Sequence, residues 1–237
     1  MLNTIKKIFQ NLDSISQKKN ILNIKKKLGN KFNVMIDVGA NIGETVIEFN
    51  KNFEIKKIYS IEPDPNSYKE IKKNNFQNVD VFNFAASDTE GEAVLKIGYL
   101  SSMSTINKIN YDSFYTKFKS LVIWILTRKF AIYKNEIEIK KRRLDNFIDD
   151  LKINVVDLIK IDTEGHEFDV IKGLGTKISN VKIILFEHHE DNSIIKNYTI
   201  EDIENYFIKK NFIQLSKIKM KLRNTYEFIF INKKYIN

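Results

Sequence analysis

The sequence predicts an α/β protein built on a parallel sheet, and three observations carry that expectation. Short apolar runs alternate with amphipathic stretches through most of the chain, the rhythm of strand–helix–strand units. Small and polar residues gather just past the ends of those runs. Two glycines stand four apart in "MIDVGANIGE", residues 35–44, directly after an apolar run.

The elements follow in order. Residues 1–30 read as a basic, weakly amphipathic helical leader, with Leu2, Ile5, Ile8, Phe9 and Leu12 at helical spacing. It would pack on the core or on a partner. Residues 31–237 read as one domain. "FNVMIDVG" is a buried strand, followed by a helix in "ETVIEFNKNF" with Val46, Ile47 and Phe49 toward one face. "IKKIYSIEP" is a second strand stopped by Pro63. "DPNSYKEIKKNN" is a helix capped by Asp64, with Pro65 at its first position. "VDVFNFAASD" reads as a third strand.

The regular alternation then breaks. "EAVLKIGYL" reads as a strand, and residues 111–135 as an insertion carrying a helix around "FKSLVIWILTRKF". Its apolar centre, Leu121 to Leu126, falls far short of the roughly 20 residues that cross a bilayer. Core packing, a lid over a site, and a foot on a membrane or partner are the three roles open to it. "NEIEIKKRRLDNFIDDL" restores strand and helix. "VVDLIKID" and "VKIILFEHH" are the fourth and fifth core strands, with helices beginning at "GHEFDVIKGL" and "TIEDIENYFIKKN". "FIQLSKIKM" and "TYEFIFINK" form a terminal hairpin.

Composition bounds the function. At 237 residues, 43% hydrophobic, the chain is long enough for a substantial core, and its composition is neither that of a disordered nor of a membrane-spanning protein. There is no cysteine, which removes disulfides and thiolate metal sites. The start shows no apolar signal core, so a cytoplasmic location is expected, with peripheral membrane contact through 111–135 an option. The net charge of +9 raises nucleic acid as a partner, but only four of the 39 basic residues are arginine. Arginine is the usual side chain for bidentate phosphate and base contacts. The excess lysine reads as solvated surface, and nucleic acid is not the expected partner. Oligomeric state is not legible.

In an open α/β sheet, ligands bind outside the carboxyl ends of the strands. That rule selects Asp37 to Gly43, Glu62, Asn83 to Asp88, Asp162 to His166 and Glu187 to His189. Gly39 and Gly43 permit a tight turn into a helix whose N-terminus suits an anionic group. Glu62 follows Gly43 by nineteen residues, a distance at which an acid commonly accepts ribose hydroxyls. The loop reads G-x-x-x-G and lacks the dinucleotide pattern G-x-G-x-x-G. An adenosine cofactor without pyrophosphate, S-adenosylmethionine, fits better than a nicotinamide dinucleotide. A plain structural turn is the competing reading. The second cluster, "KIDTEGHEFDVIKG" with "FEHHE", brings Asp162, Glu164 and Glu187 together with all three histidines, His166, His188 and His189. These are proton acceptors at neutral pH, and their ligand types also suit a divalent metal such as Mg or Mn. Helix capping and loop filling are the bland alternatives.

"DVGANIGE", "SIEPDP", "FNFAASD", "RLDNFI", "LIKIDTEGHEFDVIKG" and "IILFEHH", in this order, resemble the FkbM family of S-adenosylmethionine-dependent methyltransferases. "KIDTEGHE" is the most specific segment. The resemblance implies a class I methyltransferase (Rossmann-like) fold: seven strands, mostly parallel, helices on both faces and an antiparallel strand at the end. It implies O-methylation of a sugar, a glycan or its precursor, or of a small secondary metabolite. It places Asp37, Gly39, Ala40, Asn41 and Gly43 at the methionine part of the cofactor. Glu62, with Pro63, falls at the ribose, and Asn83, Phe84 and Ala85 beside the adenine. Asp162, Glu164 and His166 belong to the reaction site, with Glu187 and His188 across from them. Direct displacement needs a base, Asp162 or a histidine, or a metal held by Asp162 and Glu187. The 111–135 insertion departs from the family pattern and leaves the acceptor open. A nucleic-acid methyltransferase, a nicotinamide-dependent oxidoreductase and a non-catalytic binding module with the same fold are the rival readings.

Overall fold

A computed structural model describes residues 17–129, 131–221 and 224–236. The leader positions Leu2, Ile5, Ile8, Phe9 and Leu12 lie outside the described residues.

Residues 17–28 form helix α1. Strand β1 (Lys31–Val38), helix α2 (Glu44–Asn52), β2 (Glu54–Ile61), α3 (Pro65–Lys73) and β3 (Val79–Phe82) make the first parallel half. Strand β8 (Val156–Ile161), helix α6 (Glu167–Lys172), β9 (Val181–His189) and helix α7 (Ile200–Lys209) make the second. The antiparallel hairpin β11 (Phe212–Lys219) and β12 (Thr225–Asn232) completes it. The seven-stranded order is β11-β12-β9-β8-β1-β2-β3, with β12 antiparallel to both neighbours. This is the α/β arrangement expected. The strand order reverses between β1 and β8, which puts a crevice at their carboxyl ends.

Parallel strands covered on both faces must be apolar nearly throughout. Strand β8 is buried at all six positions although it carries Asp157 and Lys160. Asp157 is satisfied locally: one carboxylate oxygen accepts from the backbone N–H groups of Asn33 and Val34, and the other pairs with Lys182 at 2.6 Å. One sheet face packs Ile36, Val38, Ile159, Ile161, Ile184 and Phe186 against α5 (Leu144–Asp150), α6 and α7. The opposite face packs Met35, Leu158, Ile183, Leu185 and Ile229 against α1 and α2 through Ile21, Ile24, Val46 and Phe49. Asp64 caps α3 by accepting from Asn66 N–H at 3.0 Å, with Pro65 next, as the sequence indicates.

Two local expectations differ from the structure. Ile47 is 51% exposed, because Val46 and Phe49, three apart, already carry the buried stripe of α2. "VDVFNFAASD" is two strands: β3 ends at Phe82 in the main sheet, and β4 (Ala85–Ser87) leaves it for a three-stranded sheet ordered β4-β7-β5. There β7 (Tyr133–Arg143) pairs in parallel with β4 and antiparallel with β5 (Gly91–Gly98). The run "EAVLKIGYL" is therefore a strand, but outside the main sheet. The insertion folds as α4 (Phe114–Thr127), beside a small ladder of β6 (Lys108–Ile109) with β10 (Ile194–Ile195). Ile123 on the inner side of α4 joins Met103 and Ile132 in a separate apolar cluster.

Candidate active site

A cavity of about 490 Å³ opens at the carboxyl ends of the strands. Its floor is the reversal point. Asp162 N–H donates to Val38 O at 2.9 Å, and Gly39 and Ala40 N–H both donate to Ile61 O. A side chain at Gly39 would lie 1.8 Å from the Asp162 carbonyl oxygen, at a φ of +80°. The first glycine of the loop thus answers to strand packing as well as to any ligand. Gly43, at φ +91°, has ordinary room for a Cβ, so its requirement is conformational: it turns the chain into α2.

Glu62 ends β2 at the cavity wall and is nearly buried. One of its oxygens accepts from Asn41 N–H at 2.7 Å and the other from Asp64 N–H at 2.8 Å. Burial raises its carboxyl to about 8 against the pull of those two donors. Asn83 reinforces this corner by donating to the carbonyls of Glu62 and Pro63 at 2.8 and 3.0 Å. Ala40, Asn41, Pro63 and Ala85 line the cavity. The Phe84 side chain does not: it packs edge-on against Phe147 in the core, at 5.2 Å between ring centroids.

Strand periodicity explains the acidic cluster. On β1, β8, β9 and β12, the residues Asp37, Lys160, Asp162, Glu187 and Glu227 continue the same alternate positions as Met35, Leu158, Leu185 and Ile229, so they share one sheet face. Glu187 and Glu227 are directly paired across the strands. Lys160 donates to Asp162 at 2.7 Å. Burial works against its charge, but Asp162, Glu187 and Asp37 outweigh that and hold its pKa above the ordinary value. Asp37 is fully buried, and neither of its carboxylate oxygens has a hydrogen-bond partner among the described residues. Burial raises its carboxyl to about 7 despite Lys160. Glu187 is raised to about 8, by burial first and then by the charge of Asp162, with His189 and Lys160 opposing.

Beyond β8 the chain makes a tight loop, with Glu164 at φ +50° and Gly165 at φ +98°. Glu167 holds it, accepting from Gly165 N–H at 2.8 Å and Thr163 N–H at 3.2 Å, while Tyr198 donates to its other oxygen. Thr105 ties the loop to the segment after β5 by donating to Glu164 O at 2.7 Å. His166 lines the cavity and is held from both ends, Nε2 at 3.0 Å from Ser87 Oγ and Nδ1 at 3.0 Å from Asp169.

His188 and His189 part company, as neighbours on a strand must. His188 points to the other face, against Tyr198 and Phe228, where burial, then Lys196, lowers it to about 3. It does not line the cavity. His189 lies 3.5 Å from Glu164 and 3.4 Å from Glu187. Burial alone would lower it; Glu164, Asp191 and Glu187 together raise it to about 9.

The fold therefore brings Gly39, Ala40, Asn41, Glu62, Pro63, Ala85, Asp162, Glu164, His166 and Glu187 to one cavity. Asp37, Gly43, Asn83 and Phe84 support it from behind, and His188 stands apart. Sequence reasoning missed Lys160, whose signal was a charge inside an otherwise apolar strand. It also missed the part of the far wall made by Tyr99 to Ser102, Ser104 and Thr105, which precede the insertion; Val122 and Ile123 of the insertion complete that wall. Among the described residues no group of three or more His, Asp or Glu is disposed to hold a metal ion. The positive charge amid Asp37, Asp162 and Glu187 is the Lys160 ammonium.

Comparison with known proteins adds the following. A family model for the methyltransferase FkbM domain matches residues 37–214. Methyltransferase 1 of Beauveria bassiana (strain ARSEF 2860) is 23% identical over 166 residues, 66% of each chain. The crystal structure of Methyltransferase FkbM from Methylobacillus flagellatus KT is similar at a TM-score of 0.53 and 16% identity, over 84% of this chain and 43% of that one. An rRNA methylase from Streptococcus thermophilus gives 0.50 at 6% identity, over 92% and 96% of the two chains. This chain thus spans less than half of the Methylobacillus protein, and these structural likenesses speak to the fold.

Proposed function

This chain belongs to the FkbM methyltransferase family, and from that premise we propose that it moves a methyl group from S-adenosylmethionine to a hydroxyl of a sugar, glycan or glycan precursor. One observation carries the reading: the cavity is acidic in a protein of net charge +9. Glu44, Glu62, Asp162, Glu164, Glu187 and Glu227 line it, against Lys134 and Lys160. Even with Glu62 and Glu187 raised to about 8 and so largely uncharged at neutral pH, such a wall favours a ligand that carries a sulfonium and an ammonium, and it disfavours a pyrophosphate or a nucleic-acid backbone.

The residues present fit that cofactor. Asn41, which lines the cavity, has a buried Oδ1 with no protein partner among the described residues, suited to an ammonium; the unpartnered carboxyl of Asp37 stands behind it. The N-terminus of α2 suits the carboxylate beside it. A carboxylate offers about four lone-pair sites; Glu62 spends two on Asn41 and Asp64, leaving capacity for ribose hydroxyls. Pro63 and Ala85 give the adenine an apolar border. When bound, the cofactor supplies an activated methyl group. An acceptor hydroxyl would lose its proton as its oxygen is methylated, so this chain must place a base beside it.

Glu187 is the proposed base. It lines the cavity and its raised pKa sits near neutral, where proton abstraction is most efficient. Asp162 is committed to Lys160 and orients rather than abstracts. His166 is anchored at both nitrogens and shapes the wall. Ser101, Ser102, Ser104 and Thr105 with Tyr99 offer the hydroxyls and ring that a polyhydroxylated acceptor would use. Leu95, Leu100, Val122 and Ile123 favour a second reading, a small apolar metabolite bearing a hydroxyl.

The test is calorimetric titration with S-adenosylmethionine, S-adenosylhomocysteine and NADH, followed by labelled-methyl transfer to free and nucleotide-linked sugars. Micromolar binding of the sulfur cofactors alone is expected. Glu187→Gln should keep that affinity within about threefold, a shift of less than about 1 kcal/mol, and lose transfer. Absence of cofactor binding by the folded protein would leave a non-catalytic module; full activity in Glu187→Gln would remove it as the base.

A further inference from the structure

We propose that the outer face of α4 is a docking surface for an anionic lipid bilayer, a property separate from the methyltransferase reading. Phe114, Phe118, Leu121 and Ile125 are 84, 51, 46 and 51% exposed. At 100° per residue they fall within an arc of about 60° and run for about 17 Å along the helix. A contiguous apolar stripe of this kind on a surface helix marks an interaction site. The opposite side of the helix is already used, since Thr116 and Ile123 are buried and Val122 and Ile123 wall the cavity.

Charge selects the occupant. Lys117 lies at the edge of the stripe, and Arg128 and Lys129 follow its C-terminal end. Asp112, fully exposed, lies 3.8 Å from Lys117. A second copy of this chain seated on the stripe would bring two cationic rims together in a protein already at +9. An anionic headgroup layer neutralises the rim while the acyl boundary takes the aromatic and aliphatic side chains, the arrangement of helices that lie in the membrane interface. No helix among the described residues is long and apolar enough to cross a membrane, so the contact would be peripheral.

The protein carries its own reporter. Trp124 is the single tryptophan, half-buried on α4 with the Arg128 guanidinium 5.4 Å from its ring. Full-length protein should float with phosphatidylcholine/phosphatidylglycerol vesicles in low salt, with a blue shift of Trp124 emission. It should bind pure phosphatidylcholine at least about tenfold less well and be released by 0.5 M NaCl, as screening of exposed charges requires, on the order of one Debye length of about 3–5 Å. Phe118→Ser with Ile125→Ser, both exposed, should lower partitioning at least about tenfold, and Lys117→Glu with Arg128→Glu should abolish the anionic preference. No flotation in low salt, or equal binding to neutral and anionic vesicles, would overturn the proposal. So would a stable dimer that the Phe118/Ile125 variant dissociates, which would assign the stripe to a second copy. None of these readouts depends on cofactor binding.

Discussion

Asp37 concentrates the electrostatics of the site in one side chain. It is buried at the end of β1 with its carboxyl raised to about 7 from an ordinary 3.8, and the cause is burial. Between those values the folded protein holds a proton that the unfolded chain has released. Stability therefore falls as pH rises through that window and then stays low. The ceiling on the effect is about 4 kcal/mol, from 1.36 kcal/mol per unit, with the opposing charge of Lys160 already included. His189 acts in the same direction: raised to about 9, its contribution is complete below 6.5 and lost as pH rises through 9. Asn at position 37 cannot ionise. Asp37→Asn should raise the urea midpoint at pH 8 by the equivalent of about 1–3 kcal/mol and change it little near pH 4. Equal destabilisation at both pH values would mean that Asp37 is an ionised partner of Lys160 in the folded state. The variant should also bind S-adenosylmethionine more weakly, because the loop it supports changes charge.

At the scale of elements, the limit of sequence reading was sheet membership. Strand β8 was legible because Val156, Leu158, Ile159 and Ile161 make a mostly apolar run that a turn must end. The cap of α3 was legible because Asp-Pro fixes both a side-chain acceptor and a backbone angle. The departure of β4 from the main sheet was not, since "VDVFNFAASD" contains no Gly or Pro to mark a break at Asn83. What splits it lies elsewhere in the chain: β7 pairs with Ala85 to Ser87, and α6 packs on β4. The charge of Lys160 was legible as a break in an apolar strand, but not its setting, since Glu187 and Asp37, which with Asp162 hold its pKa up, come from neighbouring strands. Gly173 at the end of α6 makes the point testable. Local propensity says that Ala would stabilise a helical residue by about 1 kcal/mol. The structure says the reverse: a Cβ there would lie 1.9 Å from Ser87 O, on β4, whose Ala85 and Ala86 line the cavity. Gly173→Ala should lose at least about 2 kcal/mol by urea unfolding, the scale of a core overpacked by one methyl group. A gain would mean that α6 and β4 separate at little cost.

Across the whole molecule, opposite charges are segregated by depth. The lysines that produce the net charge of +9 lie mostly on solvated faces, while the cavity gathers six acidic side chains. That segregation predicts that polyanions are drawn to the outside and kept from the inside, with exposed charges screened over about 8 Å at physiological salt. A short RNA should bind weakly, with affinity falling steeply between 50 and 200 mM salt as about one counterion is released per neutralised phosphate. It should leave the S-adenosylmethionine dissociation constant unchanged within about twofold when present at saturation in low salt, a coupling of less than about 0.5 kcal/mol. Competition calorimetry makes the comparison. A cofactor affinity that shifts tenfold with RNA bound would couple the two sites, and would mean that a nucleic acid reaches the cavity despite its acidic wall. Indifference would separate them, assigning the basic surface to solubility and to lipid contact through α4, and the acidic interior to a cationic cofactor and an uncharged acceptor.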